Sequence, residues 1–554
     1  MGRSALPEAW LAKYAPLAQM GRAEGDTLRF SRAQGGLLDA LLASMPEARC
    51  DQLFEDARRE LAAFSRIEPA APPQSFCGTL RPYQQEGLGW LHFLDRFGFG
   101  GCLADDMGLG KTVQVLALLA ERRGSADAPS LVVTPRSLIF NWAQEARRFA
   151  PHLRVLDQSG PARQRDTAHL REYDLVLTTC GTLRSDAGMF KDFDFDYAIL
   201  DEAQTIKNAG TQAAKAARLL RARRRLALSG TPIENRLGDL WSLFEFLNPG
   251  MLGSAGVFRK LTAPAQAPDE AHHKENDNNG KGNDENNGNG RTLIARALRP
   301  FILRRTKEQV ARDLPEKVEQ TVYCELEPPQ RALYDELRDH YRQALIARVE
   351  QVGMKRAKIQ VLEALLRLRQ AACHPGLLDK KRVSEPSAKL DALRQQLTEV
   401  LAEGHKALVF SQFTSLLSIV RRDLDARGVT YEYLDGKTRD RQQRVERFHA
   451  DGSCNLFLIS LKAGGLGLNL TGADYVFLLD PWWNPAVEAQ AIDRAHRIGQ
   501  QRPVFAYRLI AKGTVEEKVL ELQASKRDLA DAIINEDNSL IASMGREELE
   551  LLLG

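Results

Sequence analysis

The sequence predicts an α/β protein in which two blocks of parallel-sheet type follow one another along 554 residues. Three observations predict it. A phosphate-binding loop, Cys102-Leu-Ala-Asp-Asp-Met-Gly-Leu-Gly-Lys-Thr112, opens into an apolar helical run. Short runs rich in Val, Leu and Ile then alternate with helical stretches, the pattern of a parallel sheet covered by helices. The same alternation, with a glycine-rich loop of its own, returns from about Ser387 onward.

A chain of this length is several times a single core, so two or three domains are expected. Its 44% hydrophobic and 27% charged residues are ordinary for a globular protein. A net charge of +3 supports no argument from overall polycation character, so any nucleic-acid surface must be local. The seven cysteines are scattered without a Cys-x-x-Cys pair, which points to reduced thiols in a cytosolic compartment and away from structural zinc. Cys373-His374 has no second pair near it and reads as a helix end. The N-terminus lacks an apolar core of signal-peptide type, and no run approaches transmembrane length. A soluble, cytoplasmic protein without a membrane partner is expected.

Residues 1–75 carry apolar side chains at helical spacing (Leu37, Leu38, Leu41, Leu42, Leu53, Phe54, Leu61, Phe64) and end in the stiff Pro69-Ala-Ala-Pro-Pro73. They read as a small helical region and linker. From Leu80 an amphipathic helix precedes the loop, and its Gln84 could read an adenine edge, since an amide donates and accepts at once. In the loop, Asp106, Met107, Gly108, Leu109 and Gly110 offer backbone N–H groups to phosphate, the glycines permitting the turns. Lys111 supplies a mobile charge for the β/γ-phosphates, and the Thr112 hydroxyl suits Mg²⁺. The helix from Val113 to Ala120 turns its positive end to the anion. Asp105 stands where the usual pattern has its first glycine.

The runs Leu131–Thr134, Asp174–Thr179 and Tyr197–Leu200 read as buried strands, and the last delivers Asp201-Glu-Ala-Gln204 at its carboxyl end. Ligands of such sheets bind beyond the carboxyl ends, so these carboxylates point to the same crevice as the loop. Asp201 is assigned to the hydrated Mg²⁺ and Glu202 to the attacking water. Leu226-Ala-Leu-Ser-Gly-Thr-Pro232 follows, its Ser229 and Thr231 hydroxyls suited to coupling the site to neighbouring elements. Residues 276–290 hold seven Asn and four Gly and are expected to be a disordered insertion, of about 264–290 in full. The basic run Arg299–Lys307 and helices with leucine spacing at about 330–372 come next.

In the second block, Lys406–Phe410 leads as a strand to Ser411-Gln412, and Asn455–Ser460 leads to the loop Lys462-Ala-Gly-Gly-Leu-Gly-Leu-Asn-Leu470. Tyr475–Leu479 ends in Asp480-Pro-Trp-Trp-Asn-Pro485. Glu488–Gln500 reads as one helix with Gln490, Asp493, Arg494 and Arg497 near one face. Two guanidinium groups so held can meet the charge that builds on a γ-phosphate.

Taken together, these segments resemble helicase superfamily two and, more closely, the Swi/Snf-type ATP-dependent DNA translocases. Leu-Ser-Gly-Thr-Pro-Ile-Glu-Asn, Asp-Pro-Trp-Trp-Asn-Pro and Arg-Ala-His-Arg-Ile-Gly-Gln carry the closer likeness, and the matching segments run in family order from about residue 80 to 520. The resemblance implies two RecA-like lobes, 76–300 and 386–554, with helical insertions at 301–385 and ATP with Mg²⁺ bound between the lobes. The first would donate Lys111, Asp201 and Glu202, with Thr112 beside Asp201 on the metal. The second would donate Arg494 and Arg497, with Gln490 counted among the nucleotide contacts. Duplex DNA would meet Pro135, Arg136, Thr178, Thr179, Ser411, Gln412, Lys462 and Gly464 through its phosphates. Gln204 stands where many relatives have His, which bears on coupling to Ser229 and Thr231, and Leu461 stands where many have a hydroxyl.

The function so implied is a monomeric, double-stranded-DNA-stimulated ATPase that translocates and remodels protein–DNA complexes without separating strands. The compact core looks like bacterial members, some of which associate with RNA polymerase. A strand-separating DNA or RNA helicase is the first alternative. A DNA- or polymerase-docking scaffold with a vestigial ATPase is the second.

Overall fold

Val, Leu and Ile runs become strands where helices cover both faces of a sheet, and in the computed structural model they do so twice. The structure describes residues 22–24, 27–29, 34, 67–124, 126–230, 237–256, 258, 294, 297–352, 354–464 and 468–527. They fall into two units that divide between Thr306 and Lys307, with Met107–Leu109 counted to the second.

Most of the expected helical region 1–75 lies outside the described residues, including every apolar position that suggested it, as does the Asn/Gly insertion at 264–290. What is described near the N-terminus is two short antiparallel strands instead, β1 (Arg22–Glu24) and β2 (Thr27–Arg29).

The first unit is built on seven strands: β3 (Gly101–Leu103), β4 (Ser130–Val133), β5 (Val155–Asp157), β6 (Leu175–Thr178), β7 (Asp194–Leu200), β8 (Arg221–Leu228) and β9 (Ile302–Leu303). They pair in the order β5-β6-β4-β7-β8-β3-β9, and every ladder is parallel. Along β7 the side chains alternate between two cores. From Tyr197 on, Tyr197 and Ile199 join Trp90, Leu116 and Trp142 on one face, while Ala198 and Leu200 join Phe190, Leu243 and Phe246 on the other. All strands point the same way. Their carboxyl ends therefore deliver the phosphate loop, Thr134, Thr178, Asp201 and Ser229 to one rim.

The start of β3 is pinned from across the chain. The Asn248 amide accepts from Gly100 N at 2.9 Å and donates to Gly100 O at 2.9 Å, and Asn248 itself is buried. A side chain on Gly100 would meet the Leu247 carbonyl at 2.5 Å, so the close approach needs glycine.

The second unit has six strands: β10 (Lys317–Cys324), β11 (Ala407–Ser411), β12 (Glu432–Leu434), β13 (Leu456–Ser460), β14 (Tyr475–Leu478) and β15 (Val504–Ala511). Their order is β10-β15-β14-β11-β13-β12, again parallel throughout. One core packs Leu393, Leu417 and Leu458 on one face, and another packs Phe410, Phe457 and Ile492 on the other.

The span 301–385 is more than a helical insertion. It holds the helices Pro328–Val352 and Met354–Cys373, but also β9 of the first sheet and β10 of the second. β10 is largely exposed, an edge strand whose Lys317 and Glu319 pair at 2.7 Å and keep it polar. No described helix is long and apolar enough to cross a membrane.

Replacing Asn248 by Ala leaves a buried N–H and a buried C=O of Gly100 without partners. We expect a loss of about 2–4 kcal/mol in urea unfolding with an unchanged m value. An effect below about 0.5 kcal/mol would mean that the amide is not what holds β3.

Candidate nucleotide site

The phosphate loop leaves β3 and enters the helix Lys111–Arg122 through Gly110, whose φ of 75° is left-handed; Gly108 is at 88°. A Cβ at Gly110 would meet Gln84 Nε2 at 2.6 Å, so Gln84 lies directly against the loop. Gln84 comes from the first turn of the helix Pro82–Phe97, where its amide accepts from Arg81 N at 2.9 Å. The Lys111 ammonium is folded back onto the loop, donating to the carbonyl oxygens of Asp105 at 2.5 Å and Asp106 at 3.2 Å. Burial pushes its pKa down, and Glu202, Asp105, Asp201 and Asp106 together hold it up. The loop lysine and the carboxylates after β7 thus form one electrostatic cluster.

Asp201 is gripped from three sides. Oδ2 accepts from Trp142 Nε1 at 2.8 Å and from Thr134 Oγ1 at 3.0 Å, and Oδ1 accepts from Glu202 N at 3.0 Å. Burial and the neighbouring Glu202 still push its pKa up to about 6, against the pull of Trp142, Thr134 and Lys111. Glu202 has φ 51° and ψ 57°, and no other non-glycine residue among those described has positive φ. Such a conformation costs about 1–3 kcal/mol and persists only when its surroundings over-determine it. Here Asp201 Oδ1 fixes its N–H, Thr205 N donates to its carbonyl at 3.1 Å, and Gln204 Nε2 donates to Oε2 at 2.8 Å. Gln204, the departure noted in the sequence, is therefore the residue that steers Glu202. Ser229 is buried at the end of β8, its N–H bonded to the Leu103 carbonyl, whereas Thr231 lies outside the described residues.

Asp105 is fully buried and meets Arg305 in a two-pronged pair, Nε to Oδ1 at 3.0 Å and Nη2 to Oδ2 at 2.6 Å. Two features unexplained in the sequence, the acidic loop position and the basic run before Lys307, account for each other.

In the second unit the expected helix Glu488–Gln500 is corrected. The helix is Pro485–Ile492, and Asp493–Gln500 continue as irregular turns. A helix cannot run on to Gln500, because the carbonyls its last turn would use are taken: Arg494 O by Leu470 N at 3.0 Å, Ala495 O by Gln500 Nε2 at 3.1 Å, and His496 O by Lys307 Nζ at 2.5 Å. Lys307 also pairs with Asp493 at 2.7 Å, and His496 Nε2 donates to the Pro315 carbonyl at 2.8 Å. Gln490 stays on the helix, while buried Arg494 and half-buried Arg497 stand on the turns after it.

The nucleic-acid candidates divide into inner and outer positions. Thr178 is buried with its hydroxyl given to the Gln158 carbonyl at 2.9 Å, and Ser411 is buried with its hydroxyl on Asp480. Both hydroxyls are thus engaged within the fold. Pro135 and Arg136 start the helix after β4, with Arg136 exposed, and half-buried Thr179 caps Cys180–Ser185. Gln412 is half-buried, its Nε2 without a hydrogen-bond partner. Lys462 and Gly464 lie in the turn Leu461–Gly464 after β13, and Leu461 is packed into the core.

A family profile described as the SNF2-related domain matches residues 83–377, more than half of the 554. The chain belongs to the SNF2-related family. A second profile, the helicase conserved C-terminal domain, matches residues 388–499 of this SNF2-related chain, and the two together mark an ATPase of helicase-like type. Among curated relatives, the putative ATP-dependent helicase/translocase YwqA of Bacillus subtilis is 40% identical over 509 residues, covering 89% of this chain and 53% of that protein. The TATA-binding protein-associated factor MOT1 of Saccharomyces cerevisiae is 35% identical over 579 residues, covering 93% of this chain and 30% of that one. The chain thus spans about half the length of the first and under a third of the second. Among solved structures, the Sulfolobus solfataricus SWI2/SNF2 ATPase core in complex with dsDNA is 37% identical, with 88% of this chain and 99% of that chain covered and a TM-score of 0.42.

Sequence reasoning on this SNF2-related chain missed Trp142, Thr134, Arg305 and Lys307 as supporting residues. Only the basic run at 299–307 carried a visible signal. Trp142→Phe keeps the aromatic packing and removes one donor to Asp201. We expect ATP turnover to fall about 10–100-fold with little change in thermal unfolding. Unaltered turnover would mean that the indole N–H is dispensable.

Proposed function

We propose that this protein hydrolyses ATP to move along duplex DNA and remodel protein–DNA complexes, without separating the strands. The observation that carries the reading is that Lys111, at the end of a loop turned through left-handed Gly108 and Gly110, lies within the field of the Glu202 and Asp201 carboxylates. Nucleotide contacts fall to Gln84 at the base, to the backbone N–H groups of Met107–Gly110 and to Lys111 at the phosphates, and to Gln490 from the second unit; the Asp106 N–H, expected among them, is given to the Arg305 carbonyl. Glu202 accepts the proton of the attacking water, its carboxylate aimed by Gln204. Thr112 and Asp201 are the oxygen donors that suit a magnesium ion, which when bound neutralises phosphate charge. Arg494 and Arg497 meet the negative charge that develops during hydrolysis. Lys111 donates to the Asp105 and Asp106 carbonyls and exchanges them for phosphate oxygens as nucleotide binds.

Duplex DNA is bound through its backbone by Arg136, Thr179, Gln412 and the turn at Lys462–Gly464. Phosphate contacts carry little sequence information, so the substrate is duplex in general rather than a sequence. Proteins held on DNA, RNA polymerase among them, are the class of target. The chain works as a monomer.

ATP turnover measured with no nucleic acid, duplex DNA, single-stranded DNA and RNA tests this. Duplex should stimulate most, and its affinity should fall by roughly 10³-fold or more between ~50 and ~200 mM salt. Equal rates with and without duplex reject the translocase, and displacement of a strand from tailed duplex favours the helicase. Arg497→Ala should lower kcat about 10³-fold while nucleotide still binds. A drop of less than about threefold removes its role in the transition state.

A further inference from the structure

We propose that Arg305 is a positioning residue of the nucleotide site, holding the first half of the phosphate loop through Asp105; this rests on the nucleotide-binding reading above. The segment after β9 runs alongside the loop. Ala104 N donates to Leu303 O at 2.7 Å and Asp106 N donates to Arg305 O at 3.0 Å, so the backbone ladder of β3 and β9 extends into the loop itself. Between those two bonds the Arg305 guanidinium grips the Asp105 carboxylate with both prongs, and its Nη2 also donates to Gln114 Oε1 at 3.0 Å. Gln114 Nε2 approaches the same carboxylate at 3.4 Å from the loop's own helix. Arg305 Nη1 reaches the Tyr83 carbonyl, and the guanidinium stands 5.1 Å from the Tyr83 ring. One buried side chain therefore touches the loop, the helix after it and the turn that carries Gln84.

Charge alone does not explain such an arrangement. A buried ion pair is close to neutral in stability against apolar replacements, because desolvation offsets the attraction. What a planar fork adds is geometry, two parallel hydrogen bonds that fix both distance and orientation. Asp105 does not need glycine's freedom, since its φ is not positive. The position is thus available for a side chain, and that side chain anchors the carbonyl that receives Lys111 at 2.5 Å. Without the fork, the loop amides and the lysine lose their register to each other.

Two variants separate positioning from mere stability. Arg305→Lys keeps the charge and loses the fork, and Asp105→Asn with Arg305→Met removes both charges. For each we measure the thermal unfolding midpoint, the Kd of a fluorescent ATP analogue, and KM and kcat for ATP. Midpoints near wild type with Kd and KM raised ~10- to 100-fold are expected. Wild-type affinity in folded Arg305→Lys protein, or affinity lost only in proportion to lost folded protein in both variants, overturns the proposal. Failure of the underlying reading shows separately, as analogue binding by the unmodified chain that Lys111→Ala does not weaken, and it removes this proposal too.

Discussion

A carboxylate held out of water at the end of a parallel strand is the constraint on which the rest of both units depends. An ionised carboxylate in such a place needs several donors, or it takes up a proton instead. In the first unit Asp201 follows β7, and the hydroxyl of Thr134, one residue past the neighbouring β4, donates to it. In the second unit Asp480 follows β14, and the hydroxyl of Ser411, the last residue of the neighbouring β11, donates to it, with Gln412 N beside. The two sheets thus finish their central strands with the same device. It locks adjacent strand ends together at the rim where the loops begin.

That lock decides what the loops can do. With both oxygens of Asp201 engaged, the next residue has little freedom, and Glu202 is driven into a left-handed conformation that an unconstrained chain would leave. Its carboxylate then points where Gln204 directs it. Rigidity of this kind suits the role of general base proposed for Glu202. The second unit applies buried charge differently: Lys389 and Glu516, 2.5 Å apart and almost wholly buried, join two helices to the strand end at Leu479. Glu488 accepts from Trp482 N and Arg508 and so fixes the loop after β14.

The core of the fold was legible because its strands are buried on both faces and read as unbroken apolar runs. Ser130–Val133, Leu175–Thr178 and Leu456–Ser460 lie within a residue or two of the expected bounds. The phosphate loop and the Asp201-Glu202 pair were legible because their chemistry restricts residue type at fixed spacing. β10 was not, since an edge strand carries charge on a side that a central strand cannot, and Lys-Val-Glu-Gln-Thr does not look buried. β9 is two residues long and has no period to detect. The inward turn of the Thr178 and Ser411 hydroxyls was not legible, because motif position says nothing of which way a hydroxyl turns. Trp142 was invisible as a partner of Asp201 because the contact spans 59 residues of sequence.

The arginine-bearing segment shows why function and periodicity part company. A helical wheel places Asp493, Arg494 and Arg497 on one face, but the wheel assumes that every carbonyl stays with its own helix. Leu470, Gln500 and Lys307 each withdraw one from residues 494–496, so no regular helix carries the chain to Gln500. Here the backbone at Arg494 and His496 is held by tertiary bonds from two distant residues, Leu470 and Lys307, rather than by a rise of 1.5 Å per residue. Such an arrangement ties the backbone that carries Arg494 and Arg497 to Leu470 and to Lys307. Local rules fail at this point of the chain because bonds from far along the sequence, at Leu470 and Lys307, take carbonyls that a helix would keep for its own neighbours.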